Sequence, residues 1–384
     1  MTKMILPGQT IGILGGGQLG RMMAMSAREL GYKVVVLDPD PNAPCGPVSD
    51  EQIVSAFDDS HGIHLLANAS DVVTYEFENV DAKEADWLQN YAYLPQGSQL
   101  LTLTQHRLHE KKAIEKAGCR VAPYAPVNTA QELDDAISRI SLPAVLKTCR
   151  GGYDGKGQLV LQSAVHVEEA KAWLGDGKEC ILEGFVSFEK ELSVIVTRST
   201  KGEMTAFPVA ENIHVHHILD QSIVPARISK QKHEEAVRMA MNIAESLQLS
   251  GTLAVELFLG EVGDLYVNEL APRPHNSGHY SIEACETSQF QQHIRAICGL
   301  PLGNTELLRP AVMINVLGEH IKQVMANMDL FDDAKLHLYG KREAKAKRKM
   351  GHITVLGETQ EIALQKAKRI RDVIRHGEMV EVTR

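Results

Sequence analysis

Apolar runs of strand length alternate with stretches of helical character over the first 95 residues. Thr10–Leu14 is one such run, a glycine turn follows it, and residues 19–30 are helix-forming. Lys33–Leu37 and residues 71–75 read as two further buried strands. That β-α-β order predicts a parallel, doubly wound sheet. Residues 104–118 read as one helix, with Thr104 as its cap and Gly118 just past its end. Pro123, Pro126 and Pro143 punctuate the next region. It holds a helix (Ala130–Ile140), a strand (Ala144–Thr148), a glycine-rich loop, a strand over 158–162 and a helix over 167–174. This pattern predicts a small α+β lid. Between residues 180 and 270 the strands become longer and hairpin-like, with one helix over 231–247. Short strands, a basic run and a helix over 358–375 close the chain.

Composition leaves this picture in place and narrows the partners. A chain of 384 residues with 44% hydrophobic and 23% charged residues fills two or three ordinary domain cores. Its net charge of −9 argues against general nucleic-acid binding. Six cations fall within residues 341–349, a local cluster suited to capturing a small phosphate. The six cysteines form no C-x-x-C pair, which suggests neither a zinc site nor a disulfide framework. No apolar run reaches the ~20 residues that span a bilayer, and no signal core follows Met1. A soluble, cytoplasmic protein is the expectation.

Three features carry chemistry. Gly15, Gly17 and Gly20 match G-x-G-x-x-G between a strand and a helix, with Asp38 at the end of the second strand. Such a turn brings backbone amides to a phosphate, in a dinucleotide or in any other ligand. Lys147 is followed by Gly151-Gly152-Tyr153-Asp154-Gly155-Lys156-Gly157-Gln158, a flexible flap able to close over a triphosphate. It is not a Walker A loop, because a strand follows it instead of a helix. Finally, residues 253–259 and 265–270 flank a turn at Gly263. Folded as a hairpin, they set Glu256 opposite Glu269. Like charges across a ladder repel, and a shared hard cation such as Mg²⁺ relieves them. The run from Ala271 to His279 is dense in donors, and Arg273 there suits a small oxyanion.

Together, Lys147, the flap, Glu183–Val186 and the Glu256/Glu269 pair resemble the ATP-grasp superfamily. Within it, Gly15–Gly20, Tyr75–Asn79, Gly152–Gln158, Asn268–His279 and Tyr339–His352 look like the N5-carboxyaminoimidazole ribonucleotide synthetases of purine biosynthesis. The resemblance covers nearly the whole chain. It implies an ATP-grasp fold of mixed α/β and α+β class. Residues 1–103 would be a Rossmann-like domain, 104–185 a linker helix and lid, 186–310 the catalytic unit with an antiparallel sheet, and 311–384 a substrate-phosphate segment.

The implied reaction is phosphorylation of bicarbonate by ATP to carboxyphosphate, which carboxylates the exocyclic amine of 5-aminoimidazole ribonucleotide. By resemblance, Arg107, Lys147, Gly152, Tyr153, Asp154, Gly155, Lys156, Gly157, Gln158, Glu183, Gly184, Phe185, Val186, Glu191, His214, Asn268 and Glu269 surround ATP. Glu183–Val186 would be the adenine hinge and Glu191 the ribose acceptor. Glu256 and Glu269 would hold Mg²⁺. Gln18, Leu19, Gly20, Glu76, Tyr153, Asp154, Arg273, Lys341 and Arg348 would recognise the ribonucleotide. Tyr153, Asp154, Arg273 and His275 are the implied catalytic residues. A homodimer is expected on the same ground.

Some positions depart from the wider pattern. Ala271 stands where many ATP-grasp enzymes carry a further Asn ligand, an alanine that the narrower family shares. His106 precedes Arg107 where an acidic residue is common. His214, His216 and His217 read as a strand with partly exposed imidazoles, His214 alone near the nucleotide. Phe185 and Phe188 read as packing residues. Two rivals stay open here: a formate-dependent glycinamide ribonucleotide transformylase and, more distantly, an NAD-dependent oxidoreductase. A nucleotide-binding module without turnover is disfavoured by the intact Lys147, Glu256 and Glu269 set.

Overall fold

The computed structural model describes residues 3–151, 157–175 and 178–376. Among these, three sheets organise the chain. Strands Glu51–Ile53, Lys33–Leu37, Thr10–Leu14 and Val72–Tyr75 lie side by side in that order, all parallel. The helix Gln18–Glu29 buries Leu19, Met22 and Met23 beneath them with Ile11, Ile13 and Val34. Nearly continuous apolar strands fit a parallel sheet covered on its faces, and the expected β-α-β order is observed.

The lid is a four-stranded antiparallel sheet in the order Tyr124–Val127, Cys180–Gly184, Ala144–Thr148, Gln158–Leu161. Helices Ala130–Ile140 and Ala164–Trp173 bury Leu133, Ala136, Val167 and Ala170 against it. Its own apolar core lets the lid hold together as a unit.

The third sheet has nine antiparallel strands. Leu265–Ala271 forms one edge, followed by Gly251–Gly260, Phe188–Arg198, Ala210–Val215 and Ile218–Val224. The sheet then continues into Ala311–Leu317, Lys349–Leu356 and Ala334–Leu338, while Met204–Ala206 pairs with Phe188–Arg198. The C-terminal strands are thus an extension of the same large sheet, and the loop carrying the basic run hangs between two of them. Helix Lys230–Ser246 covers one face through Ala236, Ala240, Ile243 and Ala244.

One expected element is corrected. Residues 104–118 do not form a single helix: Ser98–Thr104 ends there, and a new helix, Arg107–Lys116, begins after His106. Thr104 cannot cap because its hydroxyl donates back to the Leu100 and Leu101 carbonyls within the first helix. Gly118 does follow the second helix, with φ of 75°.

Candidate active site

A cleft of about 820 Å³ lies between the lid and the large sheet. Arg107, Lys147, Gln158, Glu183, Gly184, Phe185, Val186, Glu191, His214, Asn268, Glu269, Glu256, Arg273 and His275 all line it. Gly157 sits at the end of the lid hairpin, its carbonyl accepting the Thr148 N–H at 2.9 Å. Gly152, Tyr153, Asp154, Gly155 and Lys156 lie outside the described residues.

The hairpin geometry is as the sequence predicts. Glu256 and Glu269 are directly paired across the ladder, next to a register shift at Leu257. Burial, then the nearby charges of Glu269 and Glu191, push the Glu256 carboxyl well above the usual carboxylate range. A buried carboxylate facing a second one favours uptake of a cation or a proton. Oxygen donors on facing strands fit a hard divalent ion. Among the described residues no group of three or more His, Cys, Asp or Glu side chains converges for a metal.

His275 stands beside Glu256, its Nε2 3.1 Å from Oε1. Burial, then the charges of Arg273 and Lys349, hold its pKa well below the usual imidazole value, so the ring is neutral. Arg273 donates from Nη2 to Glu78 Oε2 at 2.8 Å and from Nη1 to the Pro274 carbonyl at 3.1 Å. On the lid side, Glu183 is gripped by two lysines: Lys147 Nζ at 3.0 Å and Lys111 Nζ at 3.4 Å. Burial alone would raise the Glu183 carboxyl, but Lys111 and Lys147 outweigh it and hold it below its usual value. His214 Nδ1 lies 2.6 Å from Glu191 Oε2. His216 and His217 occupy the positive-φ turn after that strand, and both also face the cleft.

Phe185 and Phe188 are exposed at 49% and 37% and line the cleft. Phe188 stacks on Phe258 with ring centroids 4.6 Å apart.

The glycine turn opens beside the same cleft. Gly15 has φ of 107°, and a Cβ there would fall 2.6 Å from Glu76 Oε2; one on Gly17 would fall 2.5 Å from Oε1. The glycines therefore make room for the Glu76 carboxylate. Asp38, which would hold the ribose of a dinucleotide, instead accepts the Gly16 and Asp40 N–H groups at 2.7 and 2.8 Å. Burial pushes the Glu76 carboxyl up, while Arg273, Lys341 and the Leu19 N–H draw it down. Leu19 and Gly20 are buried in the helix, so their backbone alone remains for a ligand; Gln18 begins that helix. Lys341 lies over the Tyr339 ring at 5.8 Å. Burial, then the charges of Arg348 and Lys349, bring its pKa down to about 8. Arg348 donates to the Glu343 carbonyl at 3.1 Å.

Residues 8–105 match the ribonucleotide synthetase preATP-grasp domain, 112–290 the ATP-grasp domain, and 311–366 the phosphoribosylaminoimidazole carboxylase C-terminal domain. The N5-carboxyaminoimidazole ribonucleotide synthase of Bacillus subtilis (strain 168) is 56% identical over 366 residues, 95% of this chain and 96% of the relative. The chain belongs to the N5-carboxyaminoimidazole ribonucleotide synthase family. An ADP complex of one such synthetase superposes with a TM-score of 0.94 at 58% identity, covering 98% of this chain and all (100%) of that one. The Aspergillus clavatus synthase in complex with ADP and 5-aminoimidazole ribonucleotide gives 0.90 at 32% identity, covering 97% and 100%.

For a synthase of this family, several cleft residues escaped the sequence reading. Lys111 is fully buried, and only its partner, Glu183, reveals its purpose. Glu110 accepts the Leu270 N–H at 2.7 Å; burial, then Glu269, raise its carboxyl to about 8. Glu78 sits within the quoted Tyr75–Asn79 motif, but its bond to Arg273 spans 195 positions. Lys349 lines the cleft at the inner end of the basic run. Of these, Glu78 falls within a quoted motif and Lys349 within the basic run, but the sequence places neither in the cleft.

Proposed function

We propose that the cleft binds ATP with Mg²⁺ on Glu256 and Glu269, and that the adjoining Glu76–Lys341 pocket holds 5-aminoimidazole ribonucleotide. The activity is that of the family: an ATP-grasp ligase that carboxylates this ribonucleotide with bicarbonate and ATP in purine biosynthesis. The observation that carries the site assignment is the register pairing of Glu256 with Glu269 in the cleft that also holds Lys147.

Phosphoryl transfer needs positioning and neutralisation of charge. Lys147 and Arg107 lie where phosphate charge would gather, and Glu183 fixes Lys147 in place. Magnesium, when bound, supplies further neutralisation of the phosphates. Arg273, with His275 beside it, would hold bicarbonate and the acyl phosphate made from it. Bicarbonate oxygen attacks the γ-phosphorus, the bond to ADP breaks, and carboxyphosphate results. The amine then attacks the carbonyl carbon, directly or as CO₂; phosphate leaves with the bridging oxygen and takes up the proton that the amine loses. A closed site protects this intermediate from water. The charge of Lys341, with Arg348, would meet the 5′-phosphate near the glycine turn. The homodimer implied by resemblance belongs to the same proposal, and sedimentation equilibrium tests it.

Uniformly ¹⁸O-labelled bicarbonate tests the chemistry. Released phosphate should carry one labelled oxygen, read by ³¹P NMR; carboxylated product with unlabelled phosphate would refute the acyl-phosphate route.

A further inference from the structure

Three adjacent strands of the large sheet place small polar side chains where apolar ones would pack. Ser193, Asn212 and Ser222 are 1%, 7% and 0% exposed, and Ser277 in the turn above them is 0% exposed. Buried polar groups must satisfy one another. Ser222 Oγ donates to Asn212 Oδ1 at 2.8 Å, and Asn212 Nδ2 donates to Ser193 Oγ at 2.9 Å. Ser193 Oγ donates to Ser277 Oγ at 2.8 Å, and Ser277 Oγ lies 2.9 Å from His275 Nδ1. The far side of that ring reaches Glu256.

We propose that Ser277, Ser193 and Asn212 form a one-way hydrogen-bond chain that holds His275 as its Nε2–H tautomer, aimed at Glu256 Oε1. The direction follows from counting hydrogens. Each hydroxyl has one to give. The Ser277 backbone N–H also points at His275 Nδ1, at 3.3 Å, and an amide cannot reverse its role. Nδ1 is therefore the bare nitrogen, and the proton of the neutral ring sits on Nε2. Receiving from Ser193, Ser277 spends its own hydrogen on Nδ1. Asn212 sets the sense of the chain, because its amide end can only donate.

Ser193, Asn212 and Ser277 are thus positioning residues acting through His275. One oxygen of Glu256 is engaged by the imidazole. The proposal rests on the reading of Glu256 as part of the ATP site. The tautomer is a property of the ligand-free enzyme, so its failure is distinguishable from failure of that reading.

Asn212→Asp turns the donating end into an acceptor and should reverse the chain; Ser193→Ala cuts it. Long-range ¹H–¹⁵N spectra of ¹⁵N-histidine-labelled enzyme report the tautomer, with the His275 signals assigned by their loss in His275→Gln. Wild type should show Nε2–H with a bare Nδ1; in both variants only the long Ser277 N–H contact at 3.3 Å still favours that form, and a measurable Nδ1–H fraction should appear. The kcat for ADP release should fall about 10-fold, as when the orienting partner of a site group is lost. The KM for ATP should stay within about twofold, since nucleotide contacts are intact. If Asn212→Asp does not fold, Ser193→Ala carries the test. An Nδ1–H tautomer in wild type, or an unchanged tautomer in the folded variants, would overturn the proposal.

Discussion

At the scale of single residues, Lys341 offers a sharp prediction. Its free-enzyme pKa of about 8 means that the ammonium is charged below that pH and lost above it. The KM for 5-aminoimidazole ribonucleotide should therefore rise about fivefold from pH 8 to pH 9, following the loss of one proton. Lys341→Arg, always charged, should flatten that rise; an unchanged slope in the variant would assign the titration elsewhere. Lys341→Ala should raise the ribonucleotide KM more than that of ATP, and steady-state kinetics with each substrate varied decides it. Much of this neighbourhood was legible in the sequence, because Lys341, Arg348, Glu76 and the glycine turn each carry a local mark. Glu78 was not: its meaning comes from Arg273, which only folding brings to it.

Among elements, the hairpin was the most readable. Two apolar strands around Gly263 fix the hairpin, and a bulge between Glu256 and Leu257 shifts Glu256 by one residue to face Glu269. The linker helices were misread because Thr104 looks the same in sequence whether it begins a helix or ends one. Lys111 was invisible, since a lysine in an amphipathic helix ordinarily faces water. Here it lies buried against Glu183 from the lid, tying helix Arg107–Lys116 to strand Cys180–Gly184. Lys111→Met leaves Glu183 with Lys147 alone. Partial loss of a buried pair should destabilise the protein by about 3 kcal/mol. Urea unfolding measures it, and a change under about 0.5 kcal/mol, the size of a neutral surface substitution, would place that charge in solvent.

Across the whole molecule, a buried chain joins the parallel sheet to the large one. The Thr252 N–H donates to His293 Nδ1 at 3.1 Å, and His293 Nε2 meets Thr74 Oγ1 at 2.8 Å. Gln96 then links Thr74 to the Pro272 carbonyl at 3.0 Å, just before Arg273. Burial drops the His293 pKa to about 3. Because the folded value lies below the unfolded one, near 6.5, the unfolded chain takes up a proton that the folded chain refuses. The stability His293 contributes is present above about pH 6.5 and is lost as the pH falls. The stability gap between wild type and His293→Gln should narrow by about 1.4 kcal/mol per pH unit below that point. The acidic groups of the cleft titrate alike in both proteins and cancel. Urea midpoints at pH 7.5 and 5.5 measure the gap, and a constant one would contradict the buried, neutral ring.

The account turns on the facing glutamates, and ADP release tests them most directly. In the presence of Mg²⁺, wild-type enzyme should release ADP at a rate that rises with bicarbonate and 5-aminoimidazole ribonucleotide. Glu269→Ala should lower that rate by about 100-fold or more, as expected when charge stabilisation at the reacting centre is removed. Near-normal ADP release from the folded variant would contradict the site.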